Sequence, residues 1–277
     1  MQKKLTTTTI RQRKLTNQPI TMLTAYDYSF ARILDATGVD MLLVGDSLGN
    51  VMLGYDSTLP VSMEDMLHHV KAVCRGAQHT LVVADMPFMS YQVSVAEAVA
   101  NAGRFLKETG AQAVKLEGGQ ELADTVKAIV NAGIPVVGHL GLTPQHVHQL
   151  GGYTVQGKDL TAARKLLTDA KALEESGAFA IVLECVPESL AAKITETIRI
   201  PTIGIGAGSQ CDGQVLVIHD LLGLTPGNTP KFVKKYANLR QDIAAAVSKY
   251  ITEVHNKSFP GAEYSFKDAG LELDKLY

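Results

Sequence analysis

Six side chains stand out by what precedes them. Asp46 follows Met41-Leu-Leu-Val-Gly, Asp85 follows Leu81-Val-Val-Ala, and Lys115 and Glu117 close a run that begins at Ala113. His139 falls near the end of Ile134–Gly141, and Glu184 near the end of Phe179–Cys185. A continuous apolar run without alternation fits a strand buried on both faces of a parallel sheet. An unpaired carboxylate is costly inside such a core, so each acid is expected where its strand stops and a loop begins. Asp46, Asp85 and Glu117, with no thiolate among them, form a hard-oxygen set. That suits Mg²⁺, which keeps several waters and takes few protein carboxylates. Zinc fits poorly, because no His or Cys has ligand spacing beside them. Each acid could instead cap a helix N-terminus, an effect worth about 0.3–1 kcal/mol. One arrangement recurring on successive runs favours a shared site.

The elements that would position these groups follow from the pattern. Strand candidates are Ile20–Ala25, Met41–Val44, the runs from Leu81, Ala113, Ile134, Phe179 and Ile200, and Gln214–Asp220. Helical spacing follows most of them. Gly38, Gly110, Gly133 and Gly177 are placed to end helices, and Ser62/Asp65 and Ser94/Glu97 have capping-box spacing. Pro187 and Glu188 open another helix. A long amphipathic helix is expected from about Lys231 to His255. The strand–helix alternation, repeated about eight times in a chain near the usual ~250 residues, predicts an α/β (β/α)8 barrel; an open doubly wound sheet is the alternative. In a barrel, chemistry sits at the C-terminal strand ends. Parallel neighbours lie about 4.8 Å apart, so groups from five consecutive strands can converge. Lys115 and Glu117, two apart, share a face.

The 277 residues, 46% of them hydrophobic, suit one domain: an N-terminal arm (about 1–19, with room for a short helix), the barrel, and a C-terminal tail (about 256–277). No apolar run approaches the ~18 residues of a membrane span, and no signal peptide is expected. A net charge of −2 without a basic block argues against nucleic acid as the main partner. Cys74, Cys185 and Cys211, an odd count without C-x-x-C spacing, fit a reduced cytoplasmic protein. The loop Thr143–Lys158 is long enough to be a functional lid. Its His146 and His148 fit solvated loop residues better than metal ligands. Gly204, Gly206 and Gly208 lack the spacing of a phosphate loop and fit close backbone packing or substrate approach.

Leu43-Val-Gly-Asp-Ser-Leu-Gly-Asn50, Val83-Ala-Asp-Met-Pro-Phe88, Lys115-Leu-Glu-Gly-Gly119, Gly138-His-Leu-Gly-Leu-Thr-Pro144, Leu183-Glu-Cys-Val-Pro187 and Ile203-Gly-Ile-Gly-Ala-Gly208 resemble the ketopantoate (3-methyl-2-oxobutanoate) hydroxymethyltransferases of pantothenate synthesis, in family order over about residues 5–265. The resemblance implies a (β/α)8 TIM barrel of the phosphoenolpyruvate/pyruvate type. It implies one Mg²⁺ per subunit at Asp46, Asp85 and Glu117. It implies keto-acid contacts from Asp46, Ser47, Asp85 and Lys115 with His139 beside them, and Glu184 as the catalytic base. The implied donor is 5,10-methylenetetrahydrofolate, and the implied assembly is a cytoplasmic homo-oligomer, typically a decamer. Such chemistry is coherent: a keto acid chelated by Mg²⁺ loses its C3 proton to a carboxylate, and Lys115 faces the developing oxyanion. A magnesium-dependent C–C lyase or phosphoenolpyruvate mutase is the near alternative. The Lys-Lys-Cys-Gly-His run of isocitrate-lyase-like enzymes is absent from this chain. A non-catalytic metal- or ligand-binding assembly protein would leave the joint presence of Asp46, Asp85, Lys115, Glu117 and Glu184 unexplained.

Overall fold

Strands that are apolar on both faces need cover on both faces, and a closed parallel barrel supplies it. The computed structural model describes residues 4–227, 229–267, 270 and 272–275. Eight parallel strands close into one barrel in chain order, with the last bonded to the first. They are β1 (Ile20–Thr24), β2 (Met41–Val44), β3 (Leu81–Asp85), β4 (Ala113–Glu117), β5 (Val136–Gly141), β6 (Ala180–Glu184), β7 (Thr202–Ile205) and β8 (Gly213–Leu216). The main helices are α1 (Thr7–Leu15), α2 (Tyr28–Thr37), α3 (Met63–Gly76), α4 (Val95–Arg104), α5 (Ala123–Asn131), α6 (Leu160–Glu175), α7 (Glu188–Thr197) and α8 (Leu239–His255).

Register sorts the barrel interior along its axis. Val83 pairs with Ala113, Asp85 with Lys115, Lys115 with Val137, and Glu117 with His139. His139 in turn pairs with Val182. Every second residue points inward, so one inward row on β4 runs Ala113, Lys115, Glu117. The lower storey is apolar, with Ile20, Met22, Met41, Leu43, Leu81, Val83, Val137, Val182 and Val215 in one buried cluster. Ile10 of α1, fully buried, joins it. Lys14 of the same helix ties to Asp212 at 2.8 Å and to the Thr195 carbonyl at 2.7 Å. The arm therefore closes the lower mouth. A second cluster packs the inner helix faces against the strands. The ionic groups are left for the upper storey.

Local signals explain most boundaries. Ser62 and Asp65 cap α3 reciprocally. Ser94 caps α4 through the Glu97 N–H, without the return bond. Gly38 ends α2 in the left-handed conformation.

Several expectations differ. No helix joins β7 to β8, because residues 206–212 return directly; the alternation is incomplete there. β8 ends at Leu216, short of Asp220: Ile218 turns into a short helix, its N–H donated to Thr24 Oγ1 at 2.9 Å. The last long helix starts at Leu239 rather than Lys231, since 231–238 is held by tertiary contacts. The Phe232 ring covers Gly206, whose φ is +66°, and the Tyr236 N–H donates to the Leu221 carbonyl at 2.8 Å. Residues 1–3 of the arm, 228 of the loop before Lys231, and 268, 269, 271, 276 and 277 of the tail lie outside the described residues.

α8 has no buried residue, and Ile243, Val247, Tyr250, Ile251 and Val254 are all exposed. A groove of about 510 Å³ lies open beside β1 and β8, lined by Met22, Leu23, Val39, Val215, Leu216 and Leu221 among others.

Asp35 of α2 illustrates how the lower end is fastened. Its Oδ1 accepts from the His79 N–H (2.9 Å), the Thr80 N–H (2.8 Å) and the Thr80 hydroxyl (2.7 Å). Burial opposes its charge, but these bonds outweigh burial and hold the carboxyl below its ordinary range. Asp35→Ala should cost roughly 2 kcal/mol or more, read from urea unfolding, because it strands buried donors. A depressed pKa gives stability that is present above the ordinary aspartate range and lost as pH falls. The gap between variant and wild type should therefore narrow in acid. Equal midpoints at neutral pH would contradict this account.

Candidate active site

Asp46, Asp85, Lys115, Glu117 and His139 are no more than 4% exposed and come from four successive strand ends. With Ser47 and Glu184 they line a cavity of about 130 Å³ at the C-terminal mouth. Leu43, Val182, Ile205, Val215 and Val217 form its apolar wall. Wider clefts exist, one of about 850 Å³ beside Arg13 and Asp212. Volume does not choose the site: the small cavity is where buried ionisable groups converge.

Lys115 pairs closely with Asp85 and lies 3.8 Å from Glu117 Oε1. Its Nζ is 3.3 Å from His139 Nδ1. His139 bridges two acids, with Nδ1 3.1 Å from Glu117 Oε1 and Nε2 3.1 Å from Glu184 Oε2. The second contact has ion-pair distance without hydrogen-bond alignment. The Asp46 N–H donates to Asp85 Oδ2 at 3.2 Å. Gly45 lets these groups approach: a Cβ there would sit 2.7 Å from Ser47 Oγ and 3.3 Å from Asp85 Oδ2, so the serine hydroxyl would have to move. Ser47 Oγ is 2.9 Å from the Tyr26 hydroxyl.

The charges are unequally compensated. Burial, then Asp85 and Glu117, push the Asp46 carboxyl well above its ordinary range. Burial also raises Asp85, against the pull of Lys115. Glu117 goes down, because His139 and Lys115 outweigh its burial. Lys115 is raised by Asp85, Glu117 and Asp46 despite burial. His139 is lowered by burial and Lys115, but Glu117 and Glu184 prevail and carry it to about 9. At neutral pH an ammonium and an imidazolium thus face Asp46, Asp85, Glu117 and Glu184.

This donor set fits a hard cation that keeps waters. Among the described residues, no three His, Cys, Asp or Glu side chains stand as a ready-made metal cage. Several carboxylate oxygens already accept from protein donors. Asp46 keeps one carboxylate oxygen without a hydrogen bond among the described residues, and Mg²⁺ needs only one or two direct carboxylates beside its waters and substrate oxygens.

Every residue singled out from the strand ends is therefore in one place. None of the three acids caps a helix: α2, α3, α4 and α6 take their caps from Asp27, Ser62, Ser94 and Asp159. His146 and His148 lie outside the cavity; His146 Nδ1 meets Thr143 Oγ1 at 3.1 Å, and His148 is exposed. Sequence reasoning missed Gln145 and Tyr91. Gln145 Nε2 donates to Asp46 Oδ2 at 2.8 Å, its N–H donates to Glu117 Oε2 at 3.0 Å, and its Oε1 lies 2.6 Å from the Tyr91 hydroxyl. A glutamine after Thr-Pro in a polar loop carries no signal of this.

The family model described as ketopantoate hydroxymethyltransferase matches residues 4–262. A 3-methyl-2-oxobutanoate hydroxymethyltransferase of Syntrophus aciditrophicus is 63% identical over 264 residues, 95% of this chain and 97% of that one. Among solved structures, a 2,3-dimethylmalate lyase of the PEP mutase/isocitrate lyase superfamily aligns at TM-score 0.59 and 14% identity, covering 97% of this chain and 92% of its own. A phosphonopyruvate hydrolase in complex with oxalate and Mg++ aligns at TM-score 0.59 and 12% identity, covering 94% and 93%. These two likenesses are of fold.

Lys115→Met would leave Asp85 and Glu117 buried without their ammonium. It should destabilise by roughly 3–5 kcal/mol in metal-free buffer, the scale for one partner lost from a buried pair. Adding Asp85→Asn should recover much of that loss, giving a strongly non-additive double-mutant cycle. Additive costs by denaturant unfolding would show that the two residues act separately.

Proposed function

The chain belongs to the ketopantoate hydroxymethyltransferase family, and from that premise we propose that it transfers a hydroxymethyl group from 5,10-methylenetetrahydrofolate to 3-methyl-2-oxobutanoate. The product is 2-dehydropantoate, on the route to pantothenate and coenzyme A, formed through an enolate in the cytoplasm. The observation that carries the chemistry is the burial of Lys115, His139 and three carboxylates around one small cavity with a fourth acid, Glu184, at its edge.

Asp46, Asp85 and Glu117 would hold one Mg²⁺, which when bound supplies Lewis acidity toward the oxygens of the keto acid. Ser47 has a hydroxyl at the cavity for the substrate carboxylate, and Lys115 offers positive charge where the oxyanion develops. Glu184 takes the C3 proton. It is the acid for this step because it is the more exposed one, at 17% side-chain exposure, and is free of Lys115. His139, between Glu184 and Glu117, fixes the base and shares the charge change. The apolar wall of Val182, Ile205 and Val215 suits an isopropyl group. The enolate carbon then bonds to the folate-borne methylene as one of its two C–N bonds breaks, and water displaces the second folate nitrogen, supplying the hydroxyl oxygen and releasing tetrahydrofolate. No helix among the described residues is long and apolar enough to cross a membrane, and nucleic acid has no place in this reading.

Proton removal is a separate step under this mechanism. In D₂O with Mg²⁺ and without folate, the protein should wash deuterium into C3 of 3-methyl-2-oxobutanoate, and proton NMR should show the methyl doublet collapse. EDTA should stop exchange and Mg²⁺ restore it. Glu184→Gln should lose exchange and turnover together by about 10²–10⁴-fold, the scale of one general base. Exchange at the wild-type rate in Glu184→Gln would remove Glu184 from that role.

A homo-oligomer, on family resemblance a decamer, is supported by the exposed apolar residues of α8 and the open groove beside β1 and β8. Together they bring more uncovered apolar surface than isolated exposed residues do. Light scattering should give a mass several times the 29.7 kDa of one chain. A single-chain mass at micromolar concentration would refute this.

A further inference from the structure

The loop after β5 delivers a side chain that belongs to neither substrate nor base chemistry. Gln145 sits in the turn Pro144–His146 and is 4% exposed. Its Nε2 donates twice, to Asp46 Oδ2 at 2.8 Å and to the Met86 carbonyl at 2.9 Å. The Met86 carbonyl has no proton to give, so the NH₂ end of the amide is fixed. Its Oε1 accepts from the Tyr91 hydroxyl at 2.6 Å. That hydroxyl has one proton and itself accepts the Glu117 N–H at 3.2 Å. The Gln145 backbone N–H donates to Glu117 Oε2 at 3.0 Å. One residue thus holds two of the three acids, Asp46 by its side chain and Glu117 by its backbone, and Tyr91 holds that residue.

The consequence is a division of labour on Asp46. Oδ2 is committed to Gln145, and among the described residues no hydrogen bond falls on Oδ1. We propose that Gln145 is a positioning residue that turns Asp46 Oδ1 toward a divalent cation and keeps Asp46 a one-oxygen ligand. This rests on the reading of Asp46, Asp85 and Glu117 as a cation site. Partners one bond behind a ligand fix its orientation, and losing one weakens metal affinity by about 10–100-fold. Tyr91 acts through Gln145, so its loss weakens binding by the same route.

The probe is Mn²⁺, followed by electron paramagnetic resonance: free ion for affinity, bound ion for the shape of the signal. Circular dichroism and thermal unfolding of the metal-free proteins run alongside. Gln145→Met keeps length and the backbone N–H but loses the donor to Asp46. It should bind Mn²⁺ about 10–100-fold more weakly, with a changed bound-state signal. Tyr91→Phe should shift affinity in the same direction by less, and the double variant should bind no more weakly than Gln145→Met alone. A merely structural role would lower the unfolding temperature without moving affinity or signal. Wild-type affinity in Gln145→Met overturns the proposal and leaves the cation site standing. Absence of Mn²⁺ binding in the wild type overturns both. If Gln145→Met fails to fold, Tyr91→Phe decides: unchanged affinity and signal overturn the proposal.

Discussion

The ammonium of Lys115 is what allows three carboxylates to be buried together. Asp46, Asp85 and Glu117 repel one another in a space where water is scarce, and each would resist ionisation without a cation nearby. Lys115 reaches Asp85 directly and Glu117 within 3.8 Å. It stands there because register pairs it with Asp85 across β3 and β4 and because a two-residue step puts Glu117 on the same inward row. Only a barrel whose lumen is apolar below and ionic above can hold such a row. In the lower storey Ala113 and Val137 occupy the rows that Lys115, Glu117 and His139 occupy higher up.

Much of this was legible in the chain. An apolar run that ends in a carboxylate is a strong local contrast, and it recurs at Asp46, Asp85, Glu117 and Glu184. The same contrast therefore marks the strand ends and the acids together. What was not legible depends on contacts between segments far apart in sequence. Phe232, Val233 and Tyr236 have spacing that fits a helix, yet Phe232 is drawn to Gly206 and the Tyr236 N–H to Leu221. His219 and Asp220 look like the end of a strand, but Ile218 leaves the sheet to bond Thr24. Gln145 and Tyr91 are ordinary loop residues until the fold places Gln145 beside Asp46, 99 positions away.

His139 shows how one side chain joins two tasks. Glu117 lies on its Nδ1 side with the acids, and Glu184 on its Nε2 side at the cavity edge. Opposite charges on both sides keep the ring protonated near neutrality, with a pKa of about 9. A protonated imidazole cannot accept a proton, so in the mechanism we propose the ring steadies its neighbours and the base is a carboxylate.

The seal made by α1 carries a consequence for how the chain is made. Ile10 enters a cluster drawn from strands as distant as β8, and Lys14 grips Asp212, 198 positions on. The helix is therefore translated before the strands it plugs but cannot seat until the last of them has emerged. Contacts of such span are slow to form, because loop closure precedes any reward from them. During synthesis the half-built lumen stays open at its base, with Met22, Met41 and Leu43 unprotected. Sheltering by chaperones during that interval would protect these side chains from aggregation until the helix seats.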